Sequence, residues 1–557
     1  MTAAVRAAGR RARRLITGHW LVAAVLAGAA ALRAVVMLGY PPAMWFPDSY
    51  SYVAAALDHV LSTTRPGGYP AFLALLGPLH SFAVVTAVQH LLGLGIGTAC
   101  YALLRRRGLP GWGAVLAAVP VLYDAYQVQV EQQVMADVLF MALLTAAVVV
   151  LLWPRLASWP AAAIAGALTG LAILVRSAGL PLLVVAAAWL LVRQAGWRPL
   201  AALVTAGVVP LAGYALLFSA QHGNLALTDS DGVFLYGRVM SFADCRVIRP
   251  PPSLARLCDP RPPSQRPVAT EYIWRDGNPL RTPGRSLFSP QANRQARAFA
   301  VRAIEAQPLP YLRAVATDLG RSAGWARTLG YDYRTDHLYL FSDPPPAVRI
   351  ASFLPLLRRY QPGLPPPRAV APFAGFARGY QRYFYLRGTL LALILLAGLA
   401  GLVRFRRRAG PDGHGVSPGG PSATPGDTPG PRWPQTPPAG YSPGGHSASR
   451  RAPPSPRWPQ TPPAGHSPGL LPWAFAVVLL VFPLAVAGFD YRYELAVTPF
   501  GCLAAALAFA RRQPLERTSG DPGELGRQAG GGGPVQQVQG PLPAAGTGGW
   551  QLDGADV

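Results

Sequence analysis

Lysine is missing from this chain. All 50 of its lysine-plus-arginine positions, in a sequence of 557 residues, are arginine. Schiff-base and lysine-nucleophile chemistry are thereby excluded. Charge of any kind is scarce, at 13% of residues, where a soluble protein carries about 25%. The net charge of +25 could point to nucleic acid, but the arginines do not form a basic stripe interleaved with aromatics. They gather beside apolar runs instead: Arg10, Arg11, Arg13 and Arg14; Arg105, Arg106 and Arg107; Arg404, Arg406, Arg407 and Arg408; Arg511 and Arg512. No nucleic-acid partner is expected. Cysteine is rare too. Cys100 and Cys502 sit in apolar runs and read as inert packing residues, and no metal-ligand spacing surrounds any of the four cysteines.

What the chain has in quantity is apolar surface, 51% of residues. Runs at 21–38, 136–153 and 390–403 are poor in charge and approach the ~20 residues that cross a bilayer. Backbone in lipid must satisfy itself, so these runs are helices. The fold class is therefore an all-α polytopic membrane protein with about ten transmembrane helices. Crossings are expected at 18–39, 81–104, 110–127, 134–153, 158–175, 179–194, 199–219, 385–403, 470–487 and 494–510. Arginine-rich ends belong on the cytoplasmic side, which puts both termini in the cytoplasm. The arginine-only, Ala/Gly/Pro-rich usage suits a high-GC bacterial genome and hence a bacterial inner membrane.

The domain reading follows from these runs. Residues 1–219 form an N-terminal transmembrane module with a first outer loop at 40–80. Residues 220–384 form an extracytoplasmic mixed loop domain, 385–403 a further span and 470–510 a C-terminal hairpin. Between them, 404–469 is rich in Pro, Gly and Ser. In it the stretch at 432–440 recurs almost unchanged at 457–465. That linker and the Gly-rich tail 511–557 read as disordered and cytoplasmic. Cys245 and Cys258 lie close together in the 220–384 region. If that region is extracytoplasmic, they pair as a disulfide.

Charged groups near membrane depth are costly and are functional candidates by default. Asp48 follows the first span, in Trp45-Phe46-Pro47-Asp48-Ser49-Tyr50; a helix N-cap is the plain alternative. Glu131 and Asp137 precede or begin the fourth span, where negative charge at a helix N-terminus is the plain alternative. Arg65, Arg176 and Arg492 fall at the same outer face. They suit either lipid headgroups or the bidentate grip of a phosphate. Acidic and basic groups thus converge on one face from segments distant in sequence. Glycosyl transfer from a lipid phosphate needs that set: a carboxylate to take the proton of an attacking hydroxyl and cations to hold the leaving phosphate.

On these residues the chain resembles the GT-C glycosyltransferases that use polyprenyl-phosphate sugars, such as protein O-mannosyltransferases and bacterial aminoarabinose transferases. Asp48 matches the family's acidic motif in the first outer loop. Arg65-Pro66-Gly67-Gly68-Tyr69-Pro70 is similar to its Pro-Gly-Tyr-Pro-like element, with one extra Gly. Glu131 and Asp137 are both candidates for its second acidic position. The element from Gly170 to Gly179 contains Arg176, and Arg492-Tyr493 ahead of Pro499 looks like its late Arg-Tyr. The likeness covers roughly 18–220 and the last helices. It implies a GT-C-like fold, with Asp48 as base and Glu131 or Asp137 assisting. It also implies donor-phosphate contacts from Arg65, Tyr69, Arg176, Arg492 and Tyr493. The partners implied are a polyprenyl-phosphate sugar, the membrane lipid and an extracytoplasmic acceptor (glycan, lipid or protein). Relatives carry two adjacent acids where this chain has Asp48-Ser49, so no metal is assigned and a divalent cation stays open as a cofactor.

Two other readings stand beside this one. A transporter or flippase of lipid-linked sugars would show internal repeats and charges near the midplane; the halves show no repeat. A non-enzymatic envelope scaffold would use 220–384 to bind a cell-wall partner.

Overall fold

The computed structural model describes residues 3–154, 158–275, 277–281, 286–327, 336–345, 350–407 and 467–510. The tail at 511–557 lies wholly outside the described residues, and so does the linker apart from 404–407 and 467–469. The structure is all-helical, with no strand among the described residues. A single β-type bridge, between Met44 and Gln133, occurs among the described residues.

In chain order the first ten helices are α1 (Ala3–Gly39), α2 (Pro47–Asp58), α3 (Gly68–Leu76), α4 (Phe82–Arg106), α5 (Gly111–Tyr123), α6 (Ala125–Gln132), α7 (Asp137–Leu152), α8 (Trp159–Val175), α9 (Leu180–Val192) and α10 (Trp197–His222). Next come α11 (Asp231–Val239), α12 (Cys245–Ile248), α13 (Pro252–Ala255), α14 (Glu271–Trp274), α15 (Pro290–Ala306), α16 (Pro308–Ser322), α17 (Ile350–Tyr360) and α18 (Phe373–Tyr383). The chain closes with α19 (Gly388–Arg407), α20 (Leu470–Val486) and α21 (Arg492–Leu507).

Among the described residues, four helices are long and apolar enough to cross a membrane: His19–Gly39 of α1, α4, α10 and Gly388–Phe405 of α19. They suggest a membrane-embedded protein. The six other expected crossings correspond to α5, α7, α8, α9, α20 and α21, which have 13 to 17 residues. The third of the expected spans does not run through to 127. Asp124 ends α5 in an extended conformation, and its carboxylate then accepts from the backbone N–H groups of Tyr126 and Gln127 at 2.8 and 3.0 Å. An aspartate so placed is an N-cap, and it starts a new helix.

Close packing of α8 along α10 depends on glycine. A methyl group on Gly166 would strike the carbonyl of Leu203, and one on Gly170 the carbonyl of Gly207. Small residues four apart let helix backbones meet where lipid gives no hydrophobic drive.

Beneath α2 lies a polar hub. All eight residues of α6 are buried. Glu131 takes a two-pronged grip from Arg33, at 2.7 and 2.8 Å. It also meets His90 Nδ1 at 2.8 Å and Gln127 Nε2 at 3.1 Å. Gln129 and Gln133 both donate to the carbonyl of Leu338, at 3.0 and 2.7 Å. Arg33 lies within the charge-poor run 21–38, and its buried guanidinium is neutralised by Glu131 alone among the carboxylates it touches.

The mixed fold expected for 220–384 is not observed: its described part is helical and has two portions. One builds its own core around Tyr236, Ile273, Phe299 and Ala300, and Cys245 is bonded to Cys258 at its edge. The other wraps onto the bundle, placing Leu338, Tyr339, Leu357 and Tyr360 in the main core. Proline occupies the first turns of α13, α15 and α16, where its fixed φ and missing N–H favour a helix start.

Candidate functional site

Asp48 stands in the first turn of α2, after Pro47 at its start. Negative charge there is favoured by the unpaired N–H groups of the turn. Ser49 anchors this turn by donating to the carbonyl of Val134 at 2.9 Å. Above it, Arg65 grips the Asp48 carboxylate with both prongs: Nη2 to Oδ1 at 2.8 Å and Nε to Oδ2 at 3.2 Å. Arg492, at the start of α21, reaches Oδ2 of the same carboxylate with Nη1 at 3.4 Å. Residues 17 and 444 positions away in sequence thus share one carboxylate.

The cluster extends from there. Arg492 Nε lies 3.0 Å from Asp490 Oδ2, and Tyr339 donates its hydroxyl to that oxygen at 3.0 Å. Arg176, in extended backbone between α8 and α9, pairs with Asp137 at the start of α7. The ring of Tyr493 carries both Arg176 and Arg492, at 5.8 and 5.7 Å from its centroid. Phe46 lies under Arg492 and Phe234 under Arg65, at 5.3 and 5.4 Å. The Asp48, Arg65, Arg176 and Arg492 side chains are 12 to 18% exposed, so the cluster is walled in but reachable.

Electrostatics within it are one-sided for Asp48. Burial works against its charge, but Arg65, Arg492 and Arg176 outweigh that and hold the carboxyl down at about 2. Burial presses the other way on Arg176, which is lowered, with repulsion from Arg492 adding to the effect. Three guanidiniums packed this closely carry more N–H donors than the three aspartates can occupy.

Glycine explains how the Arg65 loop is seated. A methyl group on Gly68 would lie 2.6 Å from the carbonyl of Leu174, two residues before Arg176. The extra glycine of the Gly67-Gly68 pair therefore lets α3 approach the end of α8, bringing the Arg65 and Arg176 segments together.

Six of the sequence candidates meet here: Asp48, Asp137, Arg65, Arg176, Arg492 and Tyr493. Two do not. Glu131 is fully buried in the hub with Arg33 and His90. Tyr69 is also buried, its hydroxyl donating to Gln89 at 2.7 Å and its ring edge-on to Tyr52 at 4.9 Å. Both are supports rather than surfaces. Neither protein-family models, curated proteins nor solved structures give a match to this chain. The residues and their geometry carry the argument alone.

Sequence reasoning missed Tyr339, Asp490, Phe46 and Phe234. Asp490 had a signal, since it sits two residues before Arg492. Tyr339 had none: it arrives from a short 3-10 turn, Asp336–Tyr339, more than 150 residues upstream of its partner. Among the described residues no group of three His, Cys, Asp or Glu side chains gathers as a metal site would require.

Proposed function

We propose that this protein is a membrane glycosyltransferase that moves a sugar from a polyprenyl-phosphate donor to a hydroxyl acceptor outside the cytoplasm. One observation carries the reading: a single carboxylate is shared by two arginines, with a third arginine close enough to lower its pKa further. A leaving phosphate needs the arginines, and an attacking hydroxyl needs the carboxylate. In this reading the ten expected spans are α1, α4, α5, α7, α8, α9, α10, α19, α20 and α21, and the Asp48 end of the bundle faces outward.

Asp48 as it stands is a weak base, because the arginines stabilise its charged form. A donor phosphate competes for the same guanidinium N–H groups. As Arg65 and Arg492 turn to the phosphate, Asp48 loses partners and gains proton affinity. The acceptor oxygen then attacks the anomeric carbon while its proton passes to Asp48. The carbon–oxygen bond to the phosphate breaks, and its electron pair leaves with the polyprenyl phosphate, held by Arg176 and Arg492. Attack opposite the leaving group inverts the anomeric centre.

The location of the charges favours this reading over transport. The site lies at helix ends rather than midway along them, and the deeper Arg33–Glu131–His90 group is internally paired. The test is transfer by purified protein in lipid, given radiolabelled polyprenyl-phosphate hexoses and pentoses and a membrane-extract acceptor pool. Label in the acceptor with wild type and none with Asp48→Asn supports the proposal. Transfer that survives in a folded Asp48→Asn protein overturns the role given to Asp48.

A further inference from the structure

Helix α16 carries a second surface that the chemistry above does not use. Its sequence, Pro308-Leu309-Pro310-Tyr311-Leu312-Arg313-Ala314-Val315-Ala316-Thr317-Asp318-Leu319-Gly320-Arg321-Ser322, is amphipathic in three sectors. The inner sector is held by protein: Asp318 is buried and pairs with buried Arg238 at 2.7 Å, and Ala314 packs on the core of α11 and α15. A second sector is polar and exposed, with Arg313, Thr317 and Arg321. The third holds Leu309, Leu312, Ala316 and Leu319 at helical spacing. Its leucines are 65, 58 and 39% exposed. Such a stripe is larger than chance scatter of surface apolar residues and marks an interaction.

The two ends of α16 indicate what covers it. Near its N-terminus, the Tyr311 hydroxyl donates to the carbonyl of Ala485 at 3.1 Å, on the last turn of α20. Just past its C-terminus, the Ala323 carbonyl accepts from the Thr389 hydroxyl at 2.7 Å, on the first turn of α19. Gly388 presses against the Ser322 and Gly324 carbonyls there. α16 therefore bridges the ends of two apolar helices and runs across them rather than alongside. Its apolar stripe lies at the level where α19 begins to expose Leu390, Leu393 and Leu396. Trp325, three residues past the end of α16, is 61% exposed, with the Arg387 guanidinium 5.5 Å from its ring centroid. Tryptophan beside arginine at a span's end is an arrangement typical of a bilayer interface.

We propose that α16 is an interfacial helix that lays Leu309, Leu312, Leu319 and Trp325 into the headgroup–acyl boundary of the bilayer at the Asp48 end of the bundle. Arg313 and Thr317 face the water and headgroups beside it, as the polar sector of an in-plane helix does, with Arg321 at that sector's edge, paired to Asp318. The proposal does not depend on glycosyl transfer.

Spin labels at Leu312→Cys and Leu319→Cys, in full-length protein reconstituted into phosphatidylglycerol-containing vesicles, test it. Native Cys100 and Cys502 are buried and Cys245 and Cys258 are bonded to each other, so unlabelled positions give no signal. Arg302→Cys, on the exposed face of α15, is the water reference, and Leu396→Cys on α19 the lipid reference. The expected result is collision with oxygen raised and collision with a water-soluble nickel chelate lowered at 312 and 319, towards the 396 values. Nickel-chelate access matching position 302 overturns the proposal. So does protection from both reagents with spin–spin broadening that fades on dilution with unlabelled protein, which would place a second copy on the stripe.

Discussion

At the residue scale the decisive balance is between Asp48 and the arginines around it. The carboxyl is held down at about 2 against an ordinary value of 3.8. Its ion pairing therefore stabilises the fold at every pH above 3.8 and is lost only as pH falls through about 2. Across the neutral range Asp48 stays ionised, so wild-type protein should show no acid limb from it there. Arg65→Gln removes the largest charge partner, so Asp48 rises. An acid limb in kcat/KM should then move up in pH, while kcat falls by at least about tenfold for the lost phosphate contact. A pH–rate profile whose limb stays in place would contradict the coupling. Glu131 makes the opposite point. It looked like a site acid in the sequence because charge near a span is rare, yet its partners Arg33 and His90 are too far along the chain for any local pattern to reveal. Glu131→Gln leaves the Arg33 guanidinium buried without a counter-charge and breaks the His90 contact, a loss of about 3–5 kcal/mol. Thermal unfolding followed by size exclusion should show it, and a midpoint equal to wild type would refute the hub's role.

At the element scale, helix existence was legible and helix breaks were not. Apolar runs marked α1, α4, α10 and α19 because lipid-length helices leave a long, unmistakable pattern. The break at Asp124 was hidden because one residue both closes α5 and caps α6, with no Gly-rich or polar loop between them. The helical nature of 220–384 was hidden by its prolines, which suggest loops unless each is recognised as a first-turn residue. Glycine was also underread. Gly170→Leu should force α8 from α10 and cost about 1–3 kcal/mol or more. Gly213→Ala, with open space beside it on α10, should be neutral or stabilising by up to about 1 kcal/mol. Parallel melts of the two variants check this, and equal losses would mean that the Gly166–Gly170 approach is not what holds the pair. Gly68→Ala, which pushes α3 from the end of α8, should depress transfer more than stability.

At the scale of the whole molecule, distant segments gather at one end of a helical bundle, and the basic groups of Arg106 and Arg107 sit at the other. There they cap the carbonyls of Leu152 and Trp153 at the end of α7. That separation was visible in the sequence as sidedness of charge, which is why Asp48, Arg65, Arg176 and Arg492 could be grouped without a structure. The contribution of Tyr339 was invisible, because only the folded chain brings the 336–339 turn to Asp490. Sidedness has its own check. Leu225→Cys should react with an impermeant thiol reagent in intact cells, and Trp197→Cys only after permeabilisation; the reverse pattern would invert the topology. The central claim is that a lipid phosphate and Asp48 compete for the same arginines. Its most direct test needs no knowledge of the sugar: the affinity of the protein, in lipid nanodiscs, for polyprenyl phosphate itself. Arg492→Gln should bind it more weakly than wild type. Asp48→Asn, which frees Arg65 and Arg492, should bind it more tightly. Weaker binding by Asp48→Asn, or no difference among the three proteins, would contradict the account.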